Sequence, residues 1–245
     1  MTRPDVTRVG ALATALESAQ DRLRAACVAA DRDADDVELL VVTKFFPASD
    51  VLALVDLGCR SFGESREPEA GRKAAEVRSE VTDPLAFHMI GQIQTKKAKT
   101  VGRWADRVHS LATIRLTDAL DDAATKALDS GERSVPLDVL LQINLDGAPD
   151  RGGVMPAHLD ALADQVQAAT ALCLRGLMVI APQEGTAEQW MATAAEIRER
   201  FLVGHPDATE FSAGMSGDLE EAVAHGSTCV RVGTAIMGSR PIVSP

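Results

Sequence analysis

The sequence predicts one α/β domain over residues 1–245, a (β/α)8 TIM barrel with a helical extension over 1–36. Three observations lead there. Eight short strand-like runs alternate with segments of helical periodicity, which implies a parallel sheet. Eight such units in 245 residues suit a closed barrel. Polar and glycine residues gather at the C-terminal ends of the runs, where a barrel keeps its functional loops. A doubly wound open sheet is the alternative, but it calls for a glycine-rich first turn that is missing here. No linker or composition shift divides the chain.

In chain order, Val6 to Ala30 reads as a helix. Val9, Leu12, Ala13, Leu16, Ala19 and Leu23 recur at three- and four-residue steps, giving one apolar face that packs across one end of the fold. Strand one is Leu39–Thr43, where Val41, Val42 and Thr43 favour strand over helix, and a helix follows from Ala48 to Leu57. Strand two is Ser61–Glu64, with a helix to Arg78. Strand three is Ala86–Ile90, with a basic helix from Thr95. Strand four is Arg107–Leu111, with a helix through Ala127. The remaining strands are Leu137–Ile143, Leu174–Ile180, Glu210–Ala213 and Cys229–Val232, and the clearest later helix is Ala187–Phe201.

Composition narrows the function classes. Acidic residues outnumber basic ones by 36 to 25, a net charge of −11, which argues against a nucleic-acid partner. No apolar run approaches a membrane span and no leader-like segment opens the chain. Cys27, Cys59, Cys173 and Cys229 are scattered, as in a reduced cytoplasmic protein. Cys59, Cys173 and Cys229 fall at strand starts, the end opposite the functional loops, so they read as small core residues rather than nucleophiles. Zinc spacing, a Walker loop and a GxGxxG turn are all absent.

The strand ends carry the chemistry. Lys44 closes the first strand and shares a face with Val42 and Leu40. Desolvation there lowers a lysine pKa and exposes the neutral amine a Schiff base needs. Taken alone, Lys44 also fits a snorkelling or ion-paired lysine. After strand seven, Ser212-Ala213-Gly214-Met215-Ser216-Gly217-Asp218 opens into a helix, and after strand eight Gly233-Thr234 opens a short turn. Both suit a phosphate cradle, the usual role of these two loops in a barrel. Ser216 equally fits a helix N-cap. Arg231 alternates with Val230 and Val232, and closure of strand eight on strand one turns it and Lys44 into one cavity. A phosphate cradle, a Schiff-base lysine and a cationic neighbour together describe a site for pyridoxal 5′-phosphate (PLP). His88, ending strand three, is placed to flank the ring or to be a core histidine.

These residues resemble the YggS/PROSC-type PLP homeostasis proteins from about Val37 to Arg240. The matching pieces are Val41-Val42-Thr43-Lys44, Phe62-Gly63-Glu64, His88-Met89-Ile90-Gly91 with Gln94, and Leu141-Gln142-Ile143-Asn144. Further matches are Gly152-Gly153, Arg175-Gly176-Leu177-Met178, Gly214-Met215-Ser216, Gly226-Ser227-Thr228 and the specific run Val230 to Gly238. The resemblance implies a fold-type III PLP barrel, like the N-terminal domain of alanine racemase without its C-terminal β-domain. It also implies that Lys44 carries PLP as an aldimine and that Ser216, Gly233 and Thr234 hold the phosphate. Ser212 and Met215 would shape that loop, and Arg231 would face the pyridine nitrogen. Ser65 stands where the family usually has Asn, its hydroxyl replacing part of that contact. Lys96 likewise replaces a usual Asn, and Arg66-Glu67-Pro68 is atypical.

The expected function is intracellular PLP homeostasis, in which a non-catalytic monomer holds PLP and releases it to apo PLP-dependent enzymes. The alternative is an amino-acid racemase or decarboxylase of the alanine racemase-like class. Racemisation needs a second acid–base group, a tyrosine in alanine racemase, and this chain has no tyrosine and ends just after strand eight. Arg231 has no acceptor to keep a pyridine nitrogen protonated. A sugar-phosphate barrel enzyme is a third reading. It wants a carboxylate pair at the strand ends, where only Glu64 is an obvious candidate.

Overall fold

Eight parallel strands close into a barrel in sequence order, each hydrogen-bonded to the next and β8 to β1. This structure is a computed structural model and describes residues 4–148 and 151–239. Arg240, where the family resemblance ends, and Pro245, the end of the expected domain, lie outside the described residues.

The strands are β1 (Glu38–Val42), β2 (Ser61–Glu64), β3 (Ala86–Met89) and β4 (Arg107–Leu111), then β5 (Leu137–Gln142), β6 (Leu172–Met178), β7 (Glu210–Ser212) and β8 (Cys229–Val232). The helices are α1 (Val6–Ala29), α2 (Ala48–Asp56), α3 (Glu69–Glu80), α4 (Ala98–Trp104), α5 (Ile114–Asp129), α6 (Leu159–Gln167), α7 (Ala187–Gly204), α8 (Leu219–Ala224) and α9 (Thr234–Met237). Local chemistry starts several of them. The Asp5 carboxylate accepts from the Arg8 N–H at 2.8 Å and caps α1. Thr186 and Gln189 form a capping box at α7.

Two expectations change. α1 packs against α2, α8 and α9, on the flank of the barrel and not across an end. The outer ring needs it there, because α9 after β8 is only 4 residues long and would leave the β8–β1 seam bare. Leu12, Leu16, Ala19 and Leu23 bury against that seam. β6 also begins two residues earlier than the alternation suggests. Leu172 and Cys173 pair with Leu137 and Asp138, and a register shift then leaves Arg175 as an extra residue. Such a bulge hides the strand period from a sequence reading.

The barrel interior is polar at its lower end. Arg107 pairs with Asp138 at 3.1 Å and Glu210 at 2.6 Å, and Arg175 bonds Asp138 at 2.8 Å. These groups sit at the N-terminal strand ends and seal the bottom. Cys59 lies just before β2, and Cys173 and Cys229 lie at the starts of β6 and β8, so the cysteines stay far from the upper face. Burial pushes the Cys59 thiol up to about 11 and the Cys229 and Cys27 thiols upward as well, which suits inert core residues. Among the described residues, no helix is long and apolar enough to cross a membrane.

The bulge depends on Gly176, which has φ of +155° and lies against β7, so that an added Cβ would fall 1.8 Å from the Glu210 carbonyl oxygen. Gly176→Ala is expected to destabilise the fold by about 3 kcal/mol, read by chemical denaturation. A change below about 1 kcal/mol would mean that β6 and β7 can part without cost.

Candidate functional site

The upper face of the barrel holds a cavity of about 340 Å³, a size that suits a small cofactor. Its walls come from four places. β1 and its turn supply Val42, Lys44, Phe45 and Phe46, and β3 supplies Ile90. The loop after β7 supplies Met215, Ser216 and Gly217. β8 and its turn supply Arg231, Gly233 and Thr234. The cavity thus brings together Lys44, Met215, Ser216, Arg231, Gly233 and Thr234 of the sequence-derived set. It does not include Ser65, His88 or Ser212.

Lys44 departs from expectation in its surroundings. β1 ends at Val42, so Lys44 lies beyond the strand and is exposed at the rim, not desolvated. The next residue explains the turn. Phe45 has φ of +72°, a left-handed conformation that is strained for a bulky side chain. The Lys44 Nζ lies 5.9 Å from the Phe45 ring centroid and the Arg66 guanidinium lies 5.7 Å from it. The turn is anchored from below by a buried pair. The Lys73 Nζ donates to the Thr43 carbonyl at 3.0 Å and to Glu64 Oε1 at 2.8 Å, which also accepts from the Thr43 hydroxyl at 2.7 Å. Burial raises the Glu64 carboxyl pKa and Lys73 opposes the rise. Glu64 is thus committed to holding β1 and does not reach the cavity, which removes the only carboxylate of the sugar-phosphate reading.

The loop after β7 turns sharply. Gly214 has φ of +89°, and a Cβ there would meet the Ala222 Cβ at 2.5 Å. Ser216 is not the helix cap. Asp218 holds the N-cap position of α8, and its Oδ1 accepts from the Met215 N–H at 2.6 Å. The loop closes on itself through Asp218, which leaves Ser216 at the cavity wall. Among the described residues, the Ser216 and Thr234 hydroxyls and the Ser216 and Gly217 N–H groups make no hydrogen bond. Gly217 has open space where a side chain would stand. Donors without partners, beside two cations and with no carboxylate among the described lining residues, suit a phosphate or similar anion.

Arg231 is 4% exposed and, among the described residues, forms no ion pair, the Asp218 carboxylate acting on it only through its charge. Its Nη1 donates to Ser212 Oγ at 2.6 Å and its Nη2 to the Val179 carbonyl at 2.8 Å. The expected place of Ser212 in the loop is thus a place beneath Arg231. His109 Nδ1 lies 2.9 Å from Ser212 Oγ, and His109 Nε2 lies 3.1 Å from His88 Nδ1. Arginine only donates, so Ser212 Oγ accepts from Arg231. The Ser212 hydroxyl meets His109 Nδ1, and His109 Nε2 and His88 Nδ1 share one proton between them. These bonds and the stacked rings hold His88 in the interior. His88 is therefore a core histidine one layer below Ile90, and it does not flank the cavity. Ser65 lies against Gly91, where a Cβ would meet the Ser65 carbonyl oxygen at 2.3 Å.

Sequence reasoning missed Phe45, Phe46 and His109. The two phenylalanines directly after Lys44, in a chain with only 6 Phe, were the available signal. His109 carried none, because its partners come from β3 and β7.

Comparison with known proteins gives the family. The family model "Alanine racemase, N-terminal domain" matches residues 18–241, and the chain belongs to that family. A pyridoxal phosphate homeostasis protein of Mycobacterium leprae is 45% identical, with 97% of this chain and 96% of that protein covered. Its counterpart in Escherichia coli K12 is 34% identical, with 92% and 95% covered. A structure of PipY from Synechococcus elongatus with PLP bound superposes with a TM-score of 0.77 at 33% identity, covering 93% of this chain and 100% of that one.

The buried histidines make stability depend on pH. Burial holds the His88 pKa down to about 4 and the His109 pKa well below its usual range. In the unfolded chain both return to about 6.5. Between those values the unfolded chain binds protons that the folded one refuses. Stability is therefore complete above about pH 6.5 and falls as the pH drops toward 4, by about 3 kcal/mol from His88. Denaturant titrations across this range should show the loss, and His88→Gln should have a shallower slope. Equal slopes in the two proteins would refute the neutral-histidine assignment.

Proposed function

We propose that this chain, a member of the alanine racemase N-terminal domain family, binds PLP at the mouth of its barrel and serves PLP homeostasis. The observation that carries the reading is the pairing of Lys44 and Arg231 across one cavity with unused hydroxyl and N–H donors and no carboxylate lining it. When bound, PLP supplies an aldehyde that an amine can capture and a ring that draws electrons from that carbon.

The chain's own residues fit the cofactor part by part. Lys44 presents the ε-amine for covalent attachment. Ser216, Gly217 and Thr234 present donors for the phosphate, with Gly233 allowing the backbone close beside β1. Arg231, held by Ser212 and Val179, directs its remaining N–H groups to the cavity it lines, where they suit the ring nitrogen. A donor-only partner cannot keep that nitrogen protonated, which weakens the ring as an electron sink. Met215 covers the loop. Ser65 lies outside the lining and has no contact to offer.

We read the protein as a carrier and not as a catalyst. Lys44 is exposed, so ligand and acceptor proteins can reach it. Among the described residues lining the cavity there is no tyrosine, cysteine, histidine or carboxylate to serve as a second acid–base group. Relatives at 45% and 34% identity carry the name of homeostasis protein. The proposed setting is a cytoplasmic monomer that passes PLP to apo enzymes, a reading the free cysteines suit.

The attachment is tested by borohydride reduction and peptide mapping of PLP-loaded protein. The label is expected on Lys44, with Lys44→Ala losing it while remaining folded. A label on Lys96, Lys97 or Lys99 would move the site elsewhere.

The carrier reading is tested separately, by incubating loaded protein with a panel of L-amino acids and analysing chirality and carbon dioxide. No appreciable D-isomer or decarboxylation is expected, while an apo PLP enzyme mixed with loaded protein should gain activity. Turnover that depends on Lys44 at about 1 s⁻¹ or faster would make the protein a racemase or decarboxylase.

A further inference from the structure

Helix α1 reaches the cavity without lining it. Arg22, near the middle of α1, extends to the loop after β7. Its Nη1 donates to the Ser216 carbonyl at 2.7 Å, and its Nε donates to Glu220 Oε1 at 2.6 Å. Glu220 stands in the first turn of α8, so one planar guanidinium fastens both the loop and the helix that follows it. The pair is strong enough to hold the Glu220 carboxyl pKa below its usual range and to raise that of Arg22.

The consequence follows from peptide geometry. The Ser216 carbonyl and the Gly217 N–H belong to one planar trans peptide and point in opposite directions. Arg22 holds the carbonyl on the outer side of the loop. The Gly217 N–H is thereby turned to the inner side, where Gly217 lines the cavity and, among the described residues, donates to nothing. Were this peptide to flip, a carbonyl oxygen would face the cavity and repel an anion.

We infer that Arg22 is a positioning residue for anion binding, locking the Ser216–Gly217 peptide so that the Gly217 N–H serves the phosphate. It touches no ligand itself. The inference rests on the PLP reading for the identity of the ligand, but its geometry concerns the phosphate alone. Arg8, about four turns earlier, gives α1 a second hold, bonding Asp50 in α2 at 2.6 Å and the Met237 carbonyl in α9 at 3.1 Å.

The test compares PLP, pyridoxal and inorganic phosphate as ligands for wild type, Arg22→Gln and Arg22→Lys, with Arg24→Gln as control. Arg24 pairs only with Asp21 on the exposed face of α1. Arg22→Gln is expected to weaken PLP and phosphate about tenfold, in line with loss of a charge-assisted hydrogen bond, and to leave pyridoxal unchanged. Arg22→Lys keeps the charge but cannot span both acceptors, and should show a smaller loss with the same selectivity for phosphate. It decides the matter if Arg22→Gln does not fold. In amide spectra, the Gly217 N–H should shift on phosphate addition in the wild type and not in Arg22→Gln. Equal weakening of PLP and pyridoxal, or unchanged phosphate affinity in both variants, would overturn the inference. Wild type that binds phosphate but not PLP would defeat the cofactor reading and leave the Arg22 comparison decisive with phosphate.

Discussion

The site depends on the closure of β8 against β1. That pairing sets Leu40 beside Arg231 and Val41 beside Val232. Everything beyond those residues on the two strands then rises together at the upper face. The turn carrying Lys44 comes to stand next to Gly233 and Thr234, although most of the chain separates them. The approach is close: a Cβ on Gly233 would lie 3.3 Å from the Val42 Cβ. An open sheet would leave these groups on opposite edges, with no cavity between them. The same closure explains α1. Among the described residues only the short α9 follows β8, and α1 packs beside it, reaching the loop after β7 through Arg22 and α9 through Arg8.

Arg231 divides the interior of the barrel. Below it, polar side chains satisfy one another in a chain that ends at His88. Above it is the cavity. A buried guanidinium hydrogen-bonded to neutral oxygens, with Asp218 acting only through its charge, is electrostatically incomplete, because the two oxygens spread its charge without cancelling it. An anionic ligand would offset that imbalance, and the exposed amine of Lys44 at the rim adds to the attraction. The protein carries a net charge of −11, so this local positive field is set against the character of its surface. The buried chain has a second role, since the bonds to Ser212 and the Val179 carbonyl fix the placement of Arg231.

The fold was legible because barrel strands are local. Short runs at Glu38–Val42, Ser61–Glu64, Arg107–Leu111 and Cys229–Val232 carry their period in adjacent residues, and their boundaries fall within a residue of expectation. β6 was misplaced because its period breaks at Arg175, and a bulge answers to the neighbouring strands. The meeting of the loops after β7 and β8 at one cavity was legible as well, because both follow the C-terminal ends of late barrel strands. The burial of Lys44 was misjudged for the opposite reason. Strand alternation predicts a facing direction but cannot foresee the left-handed turn at Phe45 that lifts the lysine to the rim.

Sequence alone determined the number of strands, their order and the side chains delivered to the upper face, because these follow from residue periodicity and chain direction. It also assigned Cys59, Cys173 and Cys229 to the lower end. Tertiary structure alone decided which polar groups meet. Glu64 finds Lys73, His88 finds His109, and Arg22 finds Ser216 through packing between elements whose separation along the chain contains no signal of contact. A hydrogen bond is settled within a few tenths of an ångström. Only the closed barrel, with its register and its outer ring in place, specifies positions that finely.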